Sequence, residues 1–124
     1  NAGFTAGTPW LQVCDRYKEI NTEDKDDPNS IFQYYKKLVA LRKSLPVIQN
    51  GSVHPILREH KEILAYTRKD EEHELFVFCN FSDLNVEVPY EVPEAAKCVL
   101  SNYNEEIDPK QFMLRPYEAV MFLI

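Results

Sequence analysis

From residue 47 onward the apolar side chains of this chain return at every second position, in short runs cut by turn residues. That rhythm belongs to paired strands rather than to helices. Seven segments carry it: 52–58, 63–68, 74–81, 84–88, 97–101, 111–114 and 117–124. Between them stand turn signals: Asn50-Gly51, the charged run KDEEH at 69–73, Ser82-Asp83, Pro89, Pro93, and the stretch from Asn102 to Pro109. LFVFCNF at 75–81 is apolar on both faces and is expected to be the central strand, whereas Leu84, Val86 and Val88 alternate with Asn85 and Glu87, as a half-exposed strand does. The last eight residues, YEAVMFLI, have no polar tail and read as a strand that seals the domain. Seven short strands at this spacing predict a small antiparallel β-sandwich of about 80 residues.

Upstream the pattern changes. Residues 30–45 form the clearest helix. Ser30 and Gln33 make an S-x-x-Q capping box, Pro46 ends the helix, and Arg42 and Lys43 sit at its electronegative end. At 100° per residue, Ile31, Phe32, Tyr34, Tyr35, Leu38, Val39, Leu41 and Leu45 occupy half of the wheel, a face wide enough to need a sheet as its partner. Arg42 falls inside that half and is read as a stem lying on apolar surface, its head reaching a carboxylate or solvent. Lacking a larger partner, such a helix is expected to pack onto a β-domain of its own or a neighbouring chain, or to be poorly ordered.

Residues 1–28 have neither period. They contain Phe4, Trp10, Leu11, Val13, Tyr17 and Ile20, too apolar for a disordered linker, and a loop of that length calls for an architectural or functional reason. A chain with a finished end and an irregular start without an initiator Met reads as the C-terminal piece of something larger.

Composition excludes several functions. The formal net charge is −6 without a basic patch, which argues against a nucleic-acid partner. No apolar run reaches the roughly 18 residues of a membrane span. Cys14, Cys79 and Cys98 are odd in number and form no C-x-x-C pair, as expected of reduced cytosolic thiols, with a cytoplasmic location. His54, His60 and His73 lack metal-ligand spacing, and His60 and His73 lie in charged, turn-like surroundings as surface residues do. The EDKDD run at 23–27 lacks the glycine and downstream Glu of a calcium loop, so no metal site and no cofactor is expected. The remaining carboxylates cluster in turns (Asp70, Glu71 and Glu72; Glu105, Glu106 and Asp108), whereas a general acid needs a desolvated position. The sequence shows no self-contained active site. Phe76, Phe78, Phe81, Phe112 and Phe122 are explained by core packing, leaving Phe4, Trp10 and Tyr17 as the aromatics to consider for ligand contact.

Four stretches carry a resemblance: NAGFTAGTPW at 1–10, YKEIN at 17–21, DPNSIFQYYKKLVALRK at 27–43 and LRPYEAVMFLI at 114–124. In that order they resemble the end of the α-glucosidase branch of the α-amylase family of glycoside hydrolases, which includes oligo-1,6-glucosidases, dextran glucosidases and trehalose-6-phosphate hydrolases. The resemblance implies a (β/α)8 barrel followed by an antiparallel C-terminal domain. Residues 1–46 would then be the loop after the last barrel strand plus the last barrel helix, and residues 47–124 the C-terminal domain. It also implies hydrolysis of α-glucosidic bonds with retention, by an Asp nucleophile and a Glu acid/base assisted by a second Asp. Those carboxylates would lie upstream of Asn1, so no catalytic residue is assigned here. Asn1 and Phe4 would stand nearest the substrate pocket, as wall. The partner implied is the chain's own catalytic barrel, with oligosaccharide met only through it.

Two other functions are weighed against this structural role. A carbohydrate-binding module would need exposed coplanar aromatics on one sheet face. A non-enzymatic relative, such as a transporter-associated subunit, would keep the fold and lose the upstream carboxylates.

Overall fold

The computed structural model describes residues 1–103, 107–110 and 112–124, with the side chain of Asp24 also left undescribed. They fall into two compact units, Asn1–Ala40 and Leu41–Ile124. The first opens with a tight turn in which Ala2 and Gly3 take positive φ (52° and 76°), bringing the Phe4 N–H to 2.9 Å from the Asn1 carbonyl oxygen. At Gly3 that conformation carries no steric cost. Two single 3-10 turns follow, Asp15–Lys18 and Thr22–Asp26, and then helix α1, Ile31–Ser44.

Only half of the expected capping box forms. Ser30 Oγ accepts the Gln33 N–H at 3.2 Å, but the Gln33 side chain donates to the Lys25 carbonyl at 2.6 Å instead of reaching back. The cause is local: the Ser30 N–H is already taken by the Asp27 carbonyl, so Gln33 has no orphan donor to satisfy. No residue of α1 is buried, and Ile31 is 81% exposed. Arg42 is exposed, its head in solvent.

Pro46 ends α1 as anticipated. It also starts a second, five-residue helix that sequence periodicity did not reveal: α2, Pro46–Asn50, with Pro at its first position. Gly51 follows because no side chain fits there; a Cβ would meet the Val47 carbonyl oxygen at 2.6 Å.

All seven expected strands exist, several of them shorter than expected: β1 Ser52–Ile56, β2 Ile63–Lys69, β3 Glu74–Asn80, β4 Val86–Glu87, β5 Lys97–Ser101, β6 Met113–Leu114 and β7 Ala119–Leu123. Five build an antiparallel sheet in the order β1-β2-β3-β7-β5, and β4 pairs with β6. The strand expected at the centre, β3, is central. Gln111, at the expected start of β6, and Glu105 and Glu106 lie outside the described residues. Two expectations fail at the end of β3. Phe81 and Leu84 were read as strand residues and Phe81 as core, yet the strand stops at Asn80 and Phe81 is 68% exposed. Asn80 is the reason. Its amide donates to the carbonyls of Leu84 (2.7 Å) and Arg115 (2.9 Å), and its oxygen accepts from the Ser82 N–H and hydroxyl. The chain is folded into a turn around that side chain.

The inward sides of the sheet and of the β4–β6 pair enclose one core. Phe78 packs edge-on against Phe112 (ring centroids 5.3 Å apart), which in turn meets Phe122 at 5.2 Å. Val88, Val92, Ala96 and Leu114 close it. The other sheet face carries Leu75 and Val77, against which α2 seats the fully buried Val47.

One carboxylate lies inside this domain. Glu118 is 1% exposed, in phase with the inward-facing Val120 and Phe122. Its carboxylate accepts from the Arg115 N–H (2.8 Å), the Arg115 guanidinium (2.8 and 3.1 Å) and the Ser101 hydroxyl (3.3 Å). Arg115 stacks its guanidinium 4.0 Å from the centre of the Tyr103 ring, whose hydroxyl donates to the Pro116 carbonyl at 2.7 Å. Tyr117 is held at a positive φ of 55°, its N–H on the Ser82 carbonyl and its own carbonyl taking the Asn102 amide. The turns after β3, β5 and β6 are thereby tied together.

Phe78→Ala is expected to cost about 4 kcal/mol of unfolding free energy, measured by urea denaturation of the 124-residue chain. For Glu118, burial pushes the pKa up, but the hydrogen bonds and charge of Arg115, with Ser101, outweigh it and hold the group below its ordinary 4.5. A depressed carboxyl pKa stabilises the fold above the unfolded-state value, and that contribution is lost as pH falls through the folded-state one. Glu118→Gln should therefore cost about 3 kcal/mol at neutral pH, the low end for a buried pair because Arg115 is partly exposed. It should also flatten the loss of stability on acidification. Parallel pH–stability curves for the two proteins would contradict the assignment.

Candidate functional site

The residues expected nearest to a substrate all lie in the first unit. Asn1 is fixed by its own side chain, whose amide donates to the carbonyls of Thr5 and Gly7, both at 3.0 Å. Phe4 is exposed and lines a shallow pocket of about 260 Å³ with Leu11, Gln12 and Val13. Tyr17 lines a different one, about 440 Å³, with Ala2, Lys18 and Asn21. Trp10 is 81% exposed and borders neither. The three aromatics singled out from the sequence are therefore not brought to one place.

Nor do the carboxylates converge among the described residues. Asp27 Oδ1 accepts the Asn29 N–H, Asp70 Oδ1 accepts those of Glu72 and His73, and Asp108 Oδ1 accepts that of Lys110. These are turn-forming bonds, and at Asp70 the two backbone donors hold the carboxyl below its ordinary range. Carboxylates committed to closing turns are unlike a desolvated proton donor poised for catalysis. Among the described residues no three His, Cys, Asp or Glu side chains are grouped to hold a metal ion, and no helix is long and apolar enough to cross a membrane.

The histidines shape the chain locally. His54 shares a hydrogen bond with Ser52 (2.9 Å) on the outer strand. His60, expected at the surface, is half-buried because its Nδ1 accepts the N–H of Ile63 at 3.2 Å and closes the turn before β2. Of the cysteines, Cys14 is exposed, while Cys79 and Cys98 sit half-buried in β3 and β5 as read. Burial pushes the Cys79 thiol up, making it a poor nucleophile at neutral pH. The Cys98 thiol donates to the Leu100 carbonyl at 3.7 Å.

Sequence reasoning missed one group with four convergent polar contacts, Glu118 with Arg115 and Ser101. It is closed: Glu118 is sealed from solvent, and among the described residues no buried side-chain polar atom lacks a partner. Its signal was available, since Glu118 is a charged residue at an inward position of an apolar run. Its geometry is that of a strut.

A sugar-stacking sheet face is not formed either. Phe76, Phe78 and Phe122 point into the core, and the exposed Phe81 and Tyr117 lie in turns.

Comparison with known proteins places this arrangement. Residues 1–51 match the α-amylase catalytic domain, and residues 63–121 match the α-amylase SusG C-terminal domain. The chain is 45% identical, over 99% of its length, to an oligo-1,6-glucosidase of Halalkalibacterium halodurans. It is 33% identical, over 98%, to a trehalose-6-phosphate hydrolase of Bacillus subtilis. It spans 23% of the length of each. Among solved structures, a trehalose-6-phosphate hydrolase of Bacillus licheniformis superposes with a TM-score of 0.86 at 40% identity, and an isomaltulose synthase of Erwinia rhapontici with 0.86 at 32%. Each match covers 99% of this chain and 23% of the other. Along the chain, a match to an α-amylase catalytic domain is followed by a match to an α-amylase C-terminal domain, and the chain is similar over nearly its whole length to part of enzymes of the oligo-1,6-glucosidase and trehalose-6-phosphate hydrolase type.

Proposed function

We propose that this chain is the non-catalytic end of an α-glucosidase-type glycoside hydrolase. Residues 1–46 would close its (β/α)8 barrel and residues 47–124 would form its C-terminal β-domain. The observation that carries this reading is the order of the two matches: the end of a catalytic domain (1–51) runs directly into a C-terminal domain (63–121) on one short chain. The whole protein would cleave α-glucosidic bonds in isomalto- or malto-oligosaccharides or in trehalose 6-phosphate. It would do so with retention, through a nucleophilic carboxylate and a carboxylic acid supplied by the barrel.

The β-domain contributes no group to that chemistry. Its role is to cover apolar surface at the end of the barrel and so stabilise it. Asn1 and Phe4 would form part of the pocket wall, with the oligosaccharide reaching this chain only through the barrel. The wide apolar half of α1, which includes the exposed Ile31, Phe32 and Tyr35, supports the same assignment, because the last helix of a barrel rests on the barrel sheet. The reduced state of Cys14 and Cys79 suits a cytoplasmic enzyme.

An antibody raised against the chain tests this in lysate of the source cells. The expected product is several-fold larger than 14.5 kDa, with room for a barrel of about 250 residues. That product should release glucose from isomaltose, maltose or trehalose 6-phosphate, while the 124-residue chain alone should release none. A native product of 14.5 kDa would overturn the assignment.

A further inference from the structure

Residues 1–7 are held in shape by hydrogen bonds rather than by packing, since none of them is buried. Ala2 and Gly3 stand at positive φ, a region that a residue with a Cβ, such as Ala2, keeps only when contacts fix it. Most of those contacts come from one residue. The Asn1 side-chain amide donates to the Thr5 and Gly7 carbonyls, both at 3.0 Å, while its backbone carbonyl takes the Phe4 N–H at 2.9 Å. Thr5 adds its hydroxyl, which accepts the Gly7 N–H at 3.1 Å. A carbonyl oxygen can only accept, so the atom of Asn1 that faces Thr5 and Gly7 is the nitrogen, and both of its hydrogens are used there. Asn1 keeps no N–H to offer a sugar hydroxyl.

What this clasp displays is Phe4. Its ring is 55% exposed and lines the pocket of about 260 Å³ with Leu11, Gln12 and Val13. The Phe4 N–H and the Thr5 carbonyl, before and after the ring in the chain, are both bonded to Asn1, so that residue sets how the ring is presented. An aromatic ring gives the C–H face of a glucosyl unit a broad apolar contact, and the contact counts only where the ring is held in the productive orientation. We propose that Asn1 is a positioning residue for the α-glucoside: it orients Phe4 without touching the sugar, and Phe4 packs against a glucosyl ring. This rests on the reading above, that the chain is part of an α-glucosidase with Phe4 on the wall of its pocket. The role is specific to the amide. Asp in its place would have the same size, no N–H, and a negative charge turned onto two carbonyl oxygens.

Steady-state kinetics of the full-length gene product test this, with the numbering of this chain kept and whichever of isomaltose, maltose and trehalose 6-phosphate it cleaves as substrate. Asn1→Asp and Phe4→Ala should each raise KM about tenfold while kcat stays within about twofold, the pattern of lost binding rather than lost chemistry. The double variant should be no worse than Phe4→Ala alone, because a residue that works only through Phe4 then has nothing left to position. Both side chains are exposed, so the thermal midpoints of all three variants should match that of the unsubstituted enzyme. Additive effects on KM would mean that Asn1 meets the sugar itself, and would overturn the positioning role. So would a lowered midpoint with a lowered kcat in Asn1→Asp, which would mark the residue as structural. An unchanged KM in Phe4→Ala would overturn the inference while continued cleavage left the parent assignment standing. A full-length product that cleaves none of the three sugars would overturn that assignment, and this inference with it.

Discussion

Strand β3 is apolar on both sides, and a strand of that kind is stable only where both faces of its sheet are covered. Leu75 and Val77 point one way, Phe76 and Phe78 the other, and all four are 3% exposed or less. The inner face is covered by the chain's own later residues, through Val88, Val92, Phe112 and Leu114. The outer face is covered over β3 alone, by a five-residue helix with one fully buried side chain, Val47. A β-domain that needed nothing else would place polar residues on that outer face, as half-exposed antiparallel sheets do. This one places Leu64, Tyr66, Cys79 and Met121 there. The asymmetry ties the architecture to the family relationship, since the element that covers β3 is also the last part of a catalytic-domain match.

The same domain depends on a second constraint at the end of its sheet. Three turns meet there without a hydrophobic layer to hold them, and two buried polar side chains do it instead. Asn80 gathers the turn after β3, and Glu118 binds Arg115 and Ser101. Burying a carboxylate is costly unless each of its lone pairs is used, and here Arg115 supplies both a backbone and a side-chain donor. Tyr117 is held in the left-handed region between these anchors, a conformation that a bulky residue keeps only when its surroundings fix it on both sides.

Much of this was legible in the sequence, for identifiable reasons. Most of the strands show a period of two, and β3 announces its central place by being apolar at consecutive positions. Helix α1 shows its limits through Ser30 and Pro46. Short-range competition was harder to see. Helix α2 is too short to display a period, Gln33 is drawn to Lys25 by a turn whose geometry no pattern reveals, and Phe81 reads as core until Asn80 is seen to end the strand. His60 reads as a surface group until its ring nitrogen is seen to accept a backbone N–H. The buried Glu118 could have been found from its phase with Val120 and Phe122, because a carboxylate at an inward position must have a partner. The candidate site is a different matter. Phe4, Trp10 and Tyr17 do not converge because nothing in residues 1–28 packs them together, and the enzymatic character of the family was legible only through resemblance.

The relatives explain why a chain with this much structure should carry so little chemistry. Nearly the whole chain superposes equally well on a trehalose-6-phosphate hydrolase and on an isomaltulose synthase, at 40% and 32% identity. One of these names describes a hydrolysis and the other the making of a disaccharide. The backbone of this region is thus shared by proteins with different outcomes. What the chain itself displays is mechanical: a sheet with one face sealed and a second face that keeps apolar side chains. A mechanical role selects apolar volume and a few buried struts, which are the features the chain displays most clearly, and places no demand on a proton donor or a nucleophile.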